Sequence, residues 1–172
     1  METEKMLLAL SEGGALAENE LREVLAVLES AESKDFACGP SVDDVYECLL
    51  VLGKTKLSQY RRIIEKFLEA EDALTVALVL ETLCLRWELT AEYLEQVISF
   101  ALGAPWDKDE DVRQTALKIL GEYMYANRRE AALVPAALPK SKLHLLHVLD
   151  LLRSVFADEE AQQWTRQSAY YA

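Results

Sequence analysis

The stretch Trp106–Gly121, WDKDEDVRQTALKILG, decides the fold. It opens on a run of carboxylates, Asp107, Asp109, Glu110 and Asp111, and passes directly into Val112, Ala116, Leu117 and Leu120 at helical spacing. Carboxylates suit the first turn of a helix, where free backbone amides present partial positive charge. Asp109 stands where it can accept from those amides, and the spacing predicts a helix over Glu110–Ala126.

The same signals recur on both sides. Upstream, Leu21, Val24, Leu25 and Leu28 predict a helix over Glu18–Glu29. Val42, Val45, Leu49 and Leu52 predict another, opened by Ser41 and Asp44 in a capping-box pattern. Leu57, Tyr60, Ile64 and Phe67 predict a third. Ala73–Trp87 is apolar nearly all round, as expected of a helix buried between neighbours. Further helices are predicted over Ala91–Leu102, Glu130–Leu138, Lys142–Phe156 and Glu159–Ser168, with Thr90, Ser141 and Asp158 as caps. Gly103, Pro105 and Pro139 supply stops, Pro135 sits in or kinks a short helix, and Ser30–Pro40 reads as the longest loop. Strand-type alternation has no comparable run. The first helices of successive pairs start at Ser41, Asp72, Asp109 and Ser141, which gives intervals of 31, 37 and 32 residues. Such a period is that of a helical-hairpin solenoid, in which each pair buries its apolar face only by stacking on the next.

Composition agrees with an all-α reading: only four prolines and six glycines interrupt a sequence rich in Leu, Ala and Glu. A chain of 172 residues is expected to form one domain, with a capping helix and loop over 1–40, repeats over 41–168 and a tail over 169–172. The opening residues lack the basic start and long apolar core of a secretory signal, and no stretch reaches membrane-spanning length. Cys38, Cys48 and Cys84, odd in number and set mostly among apolar residues, read as reduced core thiols, so a cytoplasmic location is expected. With 18 basic and 30 acidic residues the net charge is −12, which argues against nucleic acid and for a basic protein partner. The charge is uneven: residues 53–66 hold five basic residues against one acidic, whereas 67–106 hold one against seven.

The segment Asp107–Gly121 resembles the HEAT-repeat signature, an acidic turn followed by Val112-Arg113, then Ala116 and Leu120-Gly121. The resemblance implies a right-handed α-α superhelix of about four antiparallel helix pairs behind an N-terminal capping helix. It also implies a structural role for Asp107 and Arg113, which fix how hairpins stack; an arginine there can satisfy turn carbonyls and a carboxylate together. Val45 to Gly53 keeps the apolar spacing without the arginine, and Ala73 to Leu83 keeps it without the acidic turn. Similar folds serve as scaffold subunits, lyases, glycosylases and bacterial immunity proteins, so the fold alone decides no function.

Chemistry is thinly signalled. Gly53-Lys54-Thr55 has the ending of a phosphate-binding loop, but Cys48 stands where the earlier glycine belongs and the preceding residues are helical. His144 and His147 share a helix face without further ligands, and Glu92 and Glu95 lack a partner base, so neither a metal, a cofactor nor a catalytic set is expected. The expected partner-binding residues are Glu92, Glu95, Gln96 and Ser99 on one helix stripe, Glu159, Gln162 and Gln163 on another, and the polar-flanked Trp106 and Trp164. The expected function is a non-enzymatic immunity or inhibitor protein that occludes a basic face of a toxin or enzyme. A structural adaptor and a helical-repeat lyase or glycosylase-like enzyme are the alternatives.

Overall fold

The computed structural model describes residues 2–32, 39–127 and 140–157, together with Gln163, Thr165 and Gln167. All regular structure among these residues is helical. The predicted helix over Glu130–Leu138, Cys38, Pro135, Pro139, Asp158, Glu159, Gln162 and Trp164 lie outside the described residues, as do the side chains of Ser141, His144 and His147. The chain divides into two compact units, Met1–Leu89 and Thr90–Ala172.

The first unit is built around α3. Helices α1 (Thr3–Ser11), α2 (Glu18–Ser30) and α3 (Val42–Lys54) are followed by a 3-10 turn at Ser58–Tyr60, the short α4 (Arg61–Glu65) and a second 3-10 turn at Lys66–Glu69. Then come α5 (Ala73–Leu80) and a π-helical segment, Glu81–Arg86. Helix α3 packs against α1, α2, α5 and the π segment, so it buries residues on several sides: Val45, Cys48, Leu49, Val51 and Leu52 are all at most 2% exposed. Its N-terminus is the capping box that the sequence announces. Ser41 Oγ accepts from the Asp44 amide at 3.1 Å, and the Asp44 carboxylate accepts the Ser41 amide at 3.2 Å and its hydroxyl at 2.6 Å. Burial pushes the Cys48 thiol up to about 12, with Asp44 and Glu47 adding to the shift, so it is an inert core group. Cys84 is buried as well.

Three features differ from the sequence reading. Helix α1 is not foreseen, because its stripe is short; it is pinned by buried Met6 and by buried Thr3, whose hydroxyl donates to the Glu47 carboxylate of α3. The predicted Ala73–Trp87 helix changes type at Glu81: the Trp87 amide reaches back five residues to the Thr82 carbonyl at 2.9 Å. Glu88 then takes a left-handed backbone, φ 60°, and ends it. The third predicted helix is broken into two 3-10 turns around α4, although Ile64 and Phe67 are buried at the predicted spacing.

In the second unit α6 (Thr90–Ala101) packs against α7 (Asp111–Ala126), which packs against α8 (Lys140–Ala157). Val97, Ala101, Val112, Ala116, Leu117 and Leu120 are fully buried. Gly103, at φ 102°, ends α6 with a backbone that a side chain would strain.

Candidate functional site

The second unit holds both the resemblance-bearing turn and the predicted acidic stripe. The turn joins α6 to α7 through a small polar network. Asp107, 7% exposed, accepts the Arg113 amide through Oδ2 at 3.0 Å and so caps α7. This corrects the expectation that Asp109 is the cap: Glu110 enters the helix with a left-handed backbone, φ 58°, and the carboxylate that reaches the free amide is the one further back. Arg113 then turns its side chain the other way. Its Nε donates to the Ala101 carbonyl at the end of α6 at 3.2 Å, and its Nη1 donates to the Glu110 carboxylate at 2.7 Å. One arginine therefore neutralises the negative end of α6 while its own amide is held at the positive start of α7. The second oxygen of Glu110 accepts the hydroxyl of Thr165, which is fully buried. The network gives a structural place to Glu110, which the sequence marks only as a helix start, and to Thr165, which it does not single out.

The stripe on α6 is disposed as its periodicity predicts. Glu92, Glu95, Gln96 and Ser99 are all exposed, whereas Tyr93, Leu94, Val97 and Ala101 on the opposite side are buried. Trp106 is half-buried: its ring meets Phe100 edge-on, with centroids 6.4 Å apart and planes at 74°. Phe100 lies one turn beyond Gln96, so this contact seats Trp106 at the margin of the stripe.

Leu102 was missed. Its amide still bonds the Ile98 carbonyl at 3.1 Å, which keeps it on the helical path two turns after Glu95, and it is 65% exposed. The signal in the sequence is that seven-residue interval; an isolated leucine before a glycine gives no other. Gln163 is exposed as expected. The stripe thus presents two carboxylates, an amide and a hydroxyl, bordered by Leu102 and Trp106. Such a surface can steer and hydrogen-bond a cationic face and exclude water at its apolar end.

Among the described residues no group of three or more His, Cys, Asp or Glu side chains is placed to hold a metal ion, and no helix is long and apolar enough to cross a membrane. Comparison with known proteins brings no relative to bear: no protein-family model, no curated protein and no solved structure matches this chain.

Proposed function

We propose that this chain is a non-catalytic protein-binding module, an immunity- or inhibitor-type protein that neutralises a basic toxin or enzyme by covering its cationic face. The observation that carries the reading is the α6 stripe: Glu92, Glu95, Gln96 and Ser99 exposed together, with Leu102 beside them. Net charge of −12 adds long-range attraction, which speeds capture of a cationic partner. The apolar end then supplies contact energy that screened surface charges do not.

The scaffold under this reading is a stack of HEAT-like helix pairs with α6–α7 as one repeat. It is supported by the Asp107–Arg113 turn, whose two polar residues tie one helix of the pair to the other.

The test is capture of the natural partner by the wild-type chain and by the Glu92→Lys/Glu95→Lys double variant. A single basic partner, bound about tenfold more weakly by the variant at low salt and with a smaller difference at high salt, is expected. Equal binding by both chains overturns the stripe as the contact. Recovery of several subunits of one assembly points to the adaptor reading instead.

A further inference from the structure

Helix α6 turns one ridge of side chains to solvent. Ala91, Glu95 and Ser99 follow one another at intervals of four and Leu102 comes three later, so the four lie in one line along the helix, and all are exposed. The line alternates in height: Ala91 and Ser99 are short, Glu95 and Leu102 long. Glu92 and Gln96 flank it, but Glu92 already has an interaction within the fold, so Glu95 is the carboxylate that remains for a partner. No Lys or Arg occurs in α6 to neutralise it, and among the described residues Glu95 pairs with no cation.

The spacing of the two long side chains selects the shape that can meet both. Seven residues of helix set Glu95 and Leu102 about 10 Å apart along the axis, at about 1.5 Å per residue. A second helix laid along the ridge returns its own face over that same interval, because seven residues are close to two turns. An extended strand does not: residues on one of its faces recur at about 6.7 and 13 Å, so a strand that sets a side chain against Glu95 sets none squarely against Leu102. The low positions at Ala91 and Ser99 are where side chains of an opposing helix would seat.

The geometry points to a basic amphipathic helix of the partner protein as the occupant of this face. It carries a lysine or arginine against Glu95 and, seven positions away, an aliphatic residue against Leu102. This rests on the reading of the α6 stripe as the partner contact and names the shape of what is contacted. Charge sets the sign of the partner, since the ridge and its flanks hold carboxylates and no cation. Leu102, with half-buried Trp106 at the same margin, sets where its apolar side chain falls. The Gln96 amide and the Ser99 hydroxyl lie on either side of the cation and can accept from it or from its neighbours.

The test uses two alanine-based peptides of about 18 residues and equal composition, one with Lys and Leu seven apart on one face, the other with the Leu moved to the opposite face. Each is titrated into the full chain and followed by calorimetry, backbone amide shifts and far-UV circular dichroism. The one-faced peptide is expected to bind below about 1 mM, to gain helix on binding and to shift amides over residues 91–106, with its isomer about tenfold weaker. Leu102→Ala should weaken binding about tenfold at low and high salt, and Glu95→Gln at low salt only. Both positions are exposed, so neither melting temperature should move, and Glu23→Gln on α2 should leave binding intact. Equal binding of the two peptides, indifference to Leu102→Ala, or shifts spread over the other acidic helices overturns the helix. Should Glu92→Lys/Glu95→Lys lose the natural partner while the peptides bind alike, the helix falls and the stripe stands; should that variant keep the natural partner, the stripe itself falls.

Discussion

At Gly53 the α3 backbone passes directly against the π-helical segment: a Cβ built there would lie 2.5 Å from Thr82 Oγ1, 3.2 Å from its Cγ2 and 3.4 Å from an Arg86 nitrogen. Alanine is the better helix former by about 1 kcal/mol, yet this contact is far inside van der Waals distance and Thr82 is itself 1% exposed, with nowhere to retreat. Gly53→Ala is therefore expected to destabilise the first unit by about 1–2 kcal/mol in a denaturant melt. The Thr82 hydroxyl is buried without a hydrogen-bond partner, so Thr82→Ala removes both the obstacle and an unsatisfied group. In that background Gly53→Ala should cost little, and a double-mutant cycle with no coupling would refute the contact. The Gly53-Lys54-Thr55 string gives no hint of this. Thr55 ends the helix, its hydroxyl donating to the Leu52 carbonyl at 2.6 Å, and the glycine is required by a neighbour 29 positions away in sequence.

Helix boundaries were legible where a cap lies within three residues of its amide. Ser41 and Asp72 both accept the amide three residues on, Asp72 from Thr75 at 2.8 Å. The Asp44 carboxylate is held below the ordinary Asp range by the Ser41 hydroxyl and then by its amide. A depressed folded pKa means that the capping contribution is present above the unfolded value of about 3.9 and is lost as pH falls through the lower folded value. Acid titration should accordingly loosen the start of α3 below about pH 4, with faster amide exchange at Asp44 and Val45; Asp44→Asn should flatten that response.

The α6–α7 turn was legible in residue type but not in partner. The sequence supplies four nearby carboxylates, and only the left-handed Glu110 decides that Asp107 reaches the amide and Glu110 the arginine. Arg113→Ala breaks the Ala101 and Glu110 contacts together, and a loss of about 1–3 kcal/mol is expected from thermal melts. Arg113→Lys should recover only part, because an ammonium cannot span both acceptors with a planar fork. An unshifted melting temperature in Arg113→Ala would sink the role.

Across the whole molecule, 30 acidic side chains face 18 basic ones, so the folded chain repels itself. The exposed pairs Lys5–Glu2, Arg22–Glu18 and Arg153–Asp150 have little to lose when salt is added. Raising NaCl from about 10 to 300 mM should lift the apparent melting temperature by about 2–4 °C, while weakening capture of a basic partner. A protein held together mainly by its surface ion pairs would respond in the opposite direction.

The sequence by itself determined that the described chain is helical, where most helices lie, which residues face the core, and that the α6 stripe is polar. These follow from spacing and capping, which act over a few residues. The tertiary structure decided the π-helical end of α5, the place of α1, the division of the carboxylates between Asp107 and Glu110 and the exposure of Leu102. Each of those depends on which distant atoms come within a few ångströms, a condition that packing sets and that local pattern does not carry.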